Sequence, residues 1–338
     1  MNDFSGMWTY LIILALLVVA ELVYFRVADR FNIIDKPNLR GSSTRVTLRG
    51  GGIVFLFGAW LWAAFFGCGY PWFLTGLTLV AAVSFADDIR PTPNALRLVV
   101  QFVAMFMMFY DLGILQWRFW WLIPIVWIVC VGIMNAFNFM DGINGMTGGY
   151  SLAVLLPLLL VDWPDRELLV VVTLSVLVFC FFNFRKKAKC FAGDVGAVSI
   201  SFIILFALGR KIFDTGDVCY LMFLAVYGVD TVLTIIHRIL LHEHLGQAHR
   251  KHAYQLMANE LKMPHVLVSA IYMVLQLAVS AGLLFLPVNH YVYSVAVLVL
   301  LCGAYVLFMK KYYHLHEEYL RTVVPPADPA GHRTGGAE

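Results

Sequence analysis

WLIPIVWIVCVGIMNAFNFMDGINGMTGG, residues 121–149, decides how the rest of the chain is read. Its first half carries no charged side chain and belongs to an apolar run at 119–138. A run of roughly 20 apolar residues is what a helix needs to cross a hydrocarbon layer. Its second half sets Asn135, Asn138 and Asp141 at i, i+3 and i+6, which gathers three polar groups near one helical face. A span ending in such a cluster has two readings, hydrogen bonds between helices or a site at the membrane surface.

The same pattern extends in both directions. Of the 338 residues 61% are hydrophobic and 13% charged, whereas soluble domains carry about a quarter charged residues. Eleven spans are predicted, at 7–27, 52–68, 70–86, 95–112, 119–138, 148–162, 167–184, 195–210, 218–237, 264–286 and 291–309, with the sixth and eighth short. The fold class is therefore an all-α polytopic transmembrane bundle. No Lys or Arg precedes the first run and no small-residue cleavage site follows it, so it reads as a retained span rather than a signal peptide. No internal repeat is evident, and residues 1–321 read as a single transmembrane domain. Residues 322–338, polar with Pro and Gly, read as a disordered cytoplasmic tail. The six cysteines form no C-x-x-C pair and read as small buried hydrophobes. The net charge of +3 comes with no basic patch on a polar fold, which excludes a nucleic-acid partner.

Basic residues orient the bundle. With eleven spans, 20 of the 24 Lys and Arg fall in loops on one side, and only Arg118, Arg166, Arg210 and Lys211 fall on the other. The positive-inside rule then puts the N-terminus outside and the C-terminus in the cytoplasm, as an odd number of spans requires.

That orientation brings the informative carboxylates to the cytoplasmic face. Asp87 and Asp88 end the third span in SFADDIRP, Asp141 follows the fifth, Asp194 precedes the eighth in CFAGDVGA, and Asp230 lies in the ninth. Singly each has a bland reading: a solvated helix end for the Asp pair, an N-cap for G-D-x-G. Together on one face they point to a hard cation with oxygen ligands, Mg²⁺ when the substrate brings phosphates. The loop LLHEHLGQAHRKHAYQLMAN, residues 240–259, adds His249, Arg250 and His252. Its His spacing fits zinc or a phosphate cluster, and phosphate fits better where the only carboxylate offered is Glu243. The first loop ends in Gly50, Gly51 and Gly52, which allow close backbone approach to a phosphate or simply turn the chain. Acidic ligands beside a basic clamp at a membrane surface imply phosphoryl transfer between a soluble nucleotide and a lipid.

These motifs resemble the polyprenyl-phosphate N-acetylhexosamine-1-phosphate transferases, the family that includes the phospho-MurNAc-pentapeptide translocase. The resemblance covers roughly residues 20–310. It rests on DKPNLR…RGGG at 35–52, Asp87-Asp88, N-x-x-N-x-x-D-G (Asn135, Asn138, Asp141, Gly142), Asn183, G-D-x-G and A-H-R-x-H-x-Y-Q at 248–255. The A-H-R-x-H form looks more like the branch that initiates O-antigen and teichoic-acid synthesis. The resemblance implies a bacterial cytoplasmic-membrane enzyme that moves a sugar 1-phosphate from a UDP-N-acetylhexosamine to undecaprenyl phosphate with Mg²⁺, releasing UMP. It implies Asp194 as metal ligand, Asp87, Asp88 and Asp141 as the catalytic acidic pocket, and Asn135, Asn138, Asn183, His249, Arg250 and His252 as substrate-binding residues. Two positions depart from the pattern: Ser43 stands where a His is common, and Asn144 where many relatives have a second Asp. The sugar and the oligomeric state, monomer or homodimer, stay open. The competing class is a proton-coupled carrier, for which only Glu21 and Asp230 are candidates. A CDP-alcohol phosphotransferase is excluded because Asp141-Gly142 lacks the Ala-Arg and later aspartates that family needs.

Overall fold

The computed structural model describes residues 3–35, 46–116, 118, 120–161, 166–244 and 249–323. Twelve helices run α1 (Asp3–Arg30), α2 (Val54–Phe66), α3 (Pro71–Ile89), α4 (Asn94–Asp111), α5 (Ile123–Met140) and α6 (Met146–Leu160), then α7 (Arg166–Asn183), α8 (Gly193–Thr215), α9 (Ala225–Leu240), α10 (Ala253–Asn259), α11 (His265–Phe285) and α12 (His290–Val323). A two-residue strand β1 (Ile34–Asp35) pairs antiparallel with β2 (Thr47–Leu48), and Leu48 also bridges to Cys190. Ser43 and the tail beyond residue 323 lie outside the described residues, and α12 continues to Val323.

Among the described residues each of the eleven predicted spans falls on a helix, the ninth with a break. Among the described residues nine are long and apolar enough to cross a membrane, and Gly51–Phe66 and Met146–Leu160 are shorter apolar helices. Lipid offers no partner for backbone N–H and C=O groups, so apolar runs become helices that satisfy them internally. The eighth span is corrected by the structure. It is not a short 195–210 segment but the 23-residue α8, because Arg210 pairs one turn on with Asp214 at 2.9 Å and the helix continues through its charges. It stops at Gly216, φ 70°.

α8 is the centre of the bundle. Every residue from Gly193 to Leu208 is buried, with α3, α5, α2 and α6 packed around it. The ninth span is broken, a 3₁₀ segment Val218–Leu224 leading into α9. Gln276 of α11, fully buried, repairs the break: its Oε1 accepts Val226 N at 3.1 Å and Tyr150 Oη at 2.7 Å, and its Nε2 donates to Met222 O at 3.0 Å. Irregular backbone at membrane depth persists only where protein groups satisfy it in this way.

Candidate active site

The ends of α3, α4, α5 and α8 meet at one end of the bundle, and two arginines tie them. Arg49 Nε donates to Asp88 Oδ1 at 2.6 Å and its Nη2 to Asp194 Oδ1 at 3.0 Å. Arg97 Nη1 donates to Asp87 Oδ2 at 2.8 Å, while its Nη2 lies 3.1 Å from Asp194 Oδ2. Each guanidinium thus bridges two carboxylates, and Asp194 is shared. Three carboxylates this close would disfavour one another's ionisation without such countercharge.

The adjacent aspartates have different surroundings. Asp88 has no exposed side-chain surface and accepts Asp194 N at 2.9 Å and Val195 N at 3.0 Å. It caps α8 from another helix, where free N–H groups and the dipole favour an anion. The approach depends on Gly193, at φ 72°, whose added Cβ would stand 2.6 Å from Asp88 Oδ2. Asp87 closes the α3–α4 turn by accepting Thr92 N at 2.6 Å and Thr92 Oγ1 at 2.7 Å, and its side chain keeps 11% exposure. In the last turn of α5 the Asn138 amide, oriented so that both its ends are satisfied, donates to Asp194 Oδ1 at 3.2 Å and accepts from Arg97 Nη2 at 2.9 Å. Asp141, just past α5, accepts Thr147 Oγ1 at 2.6 Å. Burial pushes its carboxyl up to about 6, against that hydrogen bond.

A histidine pair borders the same end of α5. Asp230 of α9 lies 3.3 Å from His252 Nδ1, accepts Ala253 N at 3.1 Å and Tyr272 Oη at 2.6 Å, and meets Thr234 Oγ1 at 3.2 Å. The ring of His252 is thereby fixed, buried, with no hydrogen-bond partner at Nε2. His249 packs 5.0 Å from His252 and 6.2 Å from Phe139, centroid to centroid. Burial, then the neighbouring His252 and Arg238, push His249 down to about 3, so it meets a ligand as a neutral imidazole.

The structure therefore joins Asp87, Asp88, Asn138 and Asp194 directly, with Asp141 alongside. Asn135 turns to α4, donating to Gln101 Oε1 at 3.1 Å. Asn183 is buried and ties two turns, accepting Gly145 N at 2.7 Å and donating to Cys190 O at 2.8 Å. Asn144 likewise binds backbone, donating to Arg185 O at 3.0 Å. Arg250 faces away from the carboxylates, toward Glu260 at 2.9 Å. The sequence reading counted Arg97 only as a topology signal, carried Arg49 within the RGGG motif without a role of its own, and grouped Asp230 with the other carboxylates without pairing it to His252. Arg49 is placed by its position before the glycines: Gly51 N and Gly52 N donate to Phe191 O at 2.9 Å and Ala192 O at 3.1 Å, beside Asp194.

Residues 70–209, which hold α3, α4 and α5 in full and α8 in large part, match a family model described as glycosyl transferase family 4. The resemblance read from the motifs holds. Among individual relatives, a Bacillus subtilis protein described as a "probable undecaprenyl-phosphate N-acetylglucosaminyl 1-phosphate transferase" is 26% identical over 72% of this chain and 74% of its own. A phospho-N-acetylmuramoyl-pentapeptide-transferase of Deinococcus radiodurans is 37% identical over 32% of each chain. One of the same description from Dictyoglomus thermophilum is 33% identical over 25% of this chain and 29% of its own. Through residues 70–209 the chain is thus similar to glycosyl transferase family 4.

Proposed function

We propose that the protein transfers an N-acetylhexosamine 1-phosphate from a UDP-sugar to undecaprenyl phosphate at the cytoplasmic face of a bacterial inner membrane. The product starts a lipid-linked surface glycan, an O-antigen, capsule or related polymer. The observation that carries this reading is the junction of Asp87, Asp88, Asn138 and Asp194, bridged by Arg49 and Arg97 where four helix ends meet. The nature of the relatives supports it.

Mg²⁺ suits the donor set, which is entirely oxygen: the carboxylates of Asp194 and Asp87 and the amide of Asn138. Among the described residues no three acidic, His or Cys side chains form a complete metal cage. Mg²⁺ would need only one or two carboxylates from the chain, with water and phosphate oxygens filling the rest of its shell. Asp194 would hold it, and when bound it would neutralise charge developing on the diphosphate.

The chain's own residues then orient two phosphates. A lipid-phosphate oxygen attacks the sugar-bearing phosphorus of the donor, forming a new diphosphate, while the bond to the bridging oxygen breaks and UMP leaves. Attack is direct, because the acceptor is already nucleophilic and needs chiefly positioning and charge neutralisation. Asp87, the partly exposed member of the pair, orients or deprotonates the lipid phosphate. Asp88 holds Arg49 and the start of α8. His249 and His252 border the donor diphosphate, to which a ring N–H would donate. A carrier reading would rest on Glu21 and Asp230, yet Asp230 is engaged by His252, Ala253, Tyr272 and Thr234.

The test is to incubate membranes holding the protein with undecaprenyl phosphate and a panel of UDP-N-acetylhexosamines. UMP release dependent on both substrates and on Mg²⁺ is expected, and its absence with every sugar would overturn the proposal.

A further inference from the structure

α12 is longer than a membrane requires. Its 34 residues span about 50 Å at 1.5 Å each, against a hydrocarbon core of about 30 Å. The excess forms the last turns, and they pack on α10 and the loop that carries the two histidines. That contact is polar and buried. Arg250 Nη2 donates to Glu260 Oε1 at 2.9 Å, and His316 Nδ1 of α12 lies 3.0 Å from the same oxygen. Side-chain exposures are 12% for Arg250, 4% for Glu260 and 3% for His316. The Arg250 guanidinium also sits 4.3 Å from the Tyr319 ring centroid, and Lys251 Nζ lies 5.8 Å from that of Tyr313.

Neighbouring residues of one short segment therefore face opposite ways. His249 and His252 turn toward Phe139 at the end of α5, while Arg250 and Lys251 turn toward α12. The Arg250 guanidinium is thus anchored to a carboxylate and an aromatic face on the α12 side of the segment. Burial raises the Glu260 carboxyl, but His316 and Arg250 outweigh it and hold it below its usual range, so the cluster is charged as well as enclosed.

We propose that Arg250 is a positioning residue rather than a donor ligand, fastening the histidine loop to the last turns of α12 through Glu260, His316 and Tyr319. The effect on donor use rests on the transferase reading above, whereas the fastening itself does not. Removing one member of a buried, paired cluster leaves its partners uncompensated, so the loop loosens and the two histidines lose their register.

A double-mutant cycle and amide hydrogen exchange test this on the full-length protein. Arg250→Ala and Tyr319→Ala should each lower kcat/KM for the UDP-sugar roughly tenfold, chiefly through KM, and the double variant should fall no further than about tenfold, since both cut one connection. Tyr319→Phe keeps the ring under the guanidinium and should restore donor KM to within about twofold of the wild type. A double variant down roughly hundredfold would show independent roles and return Arg250 to the donor. In the exchange measurement, amides of residues 249–259 should exchange faster in both Ala variants while α8 is unaffected. Unchanged exchange there would overturn the fastening. A wild-type protein inactive on every UDP-sugar would sink the transferase reading alone, and exchange would still decide the role of Arg250.

Discussion

Replacing Asp88 by Ala removes the anion that holds Arg49 and two amide groups at the start of α8. Losing one partner of a buried ion pair costs about 3–5 kcal/mol, so Asp88→Ala should lower thermal stability in detergent sharply. A melting point near the wild type would contradict this capping role. The other site aspartates should behave differently. Asp194→Asn keeps shape and loses the charge Mg²⁺ needs, so transfer should disappear while the protein stays inserted and folded. Normal UMP release from that variant would remove Asp194 from the site. At His249 the folded form, pushed down to about 3, stays neutral where the unfolded chain takes a proton below about 6.5. The folded state then binds fewer protons, so its contribution is present above about 6.5 and is lost as pH falls toward 3. Amide exchange in the histidine loop should accelerate as pH drops through that window, after correction for intrinsic rates, and His249→Gln should flatten the trend. Motif spacing made Asp87, Asp194 and Asn138 legible at this scale. It did not distinguish fully buried Asp88 from slightly exposed Asp87, because that difference lies in which amides each carboxylate meets.

Gly52 and Gly196 let the 3₁₀ segment Gly51–Ile53 lie directly on α8. A Cβ on Gly52 would come within 2.3 Å of Gly196 Cα and 2.9 Å of Ala192 O, backbone on both counts. Neither atom can rotate away, so Gly52→Ala should cost about 1–3 kcal/mol, the usual range for overpacking. It should also reduce transfer, since Arg49 precedes this segment. Gly69→Ala, with nothing within 4 Å of its Cβ, is the matched control. Equal stability and activity in the two variants would show that the contact is not needed. Among elements, hydropathy located all eleven spans, because lipid exposure demands apolar side chains over a set length. It shortened α8, whose charged last turns stay helical by pairing, and it missed the 3₁₀ break before α9, which Gln276 sustains from another helix.

At the scale of the whole molecule, the eleven-span reading assigns the motif-bearing ends of α3, α5, α7, α8 and α9 to the same side as 20 of the 24 basic residues. The positive-inside rule predicts that this side is cytoplasmic, the side on which the proposed UDP-sugar donor would be met. Cysteine placed at exposed Lys186 should therefore react with an impermeant reagent only from the cytoplasm, and cysteine at exposed Asn289 only from outside. Reversed labelling would put the carboxylates on the wrong side for a nucleotide donor. The sequence by itself determined that the chain is an apolar helical bundle of membrane type, where its apolar helices lie, and that its carboxylates and histidines collect at one end. Those properties follow from local composition and from charge counts in loops, which act residue by residue. Only the tertiary structure decided which charges meet: Arg49 with Asp88 and Asp194, Arg97 with Asp87 and Asp194, Asp230 with His252, and Arg250 with Glu260 and α12. The partners in those pairs stand between 10 and 145 residues apart. Spacing along a helix fixes neighbours within a few turns, whereas pairing between helices depends on how the bundle packs.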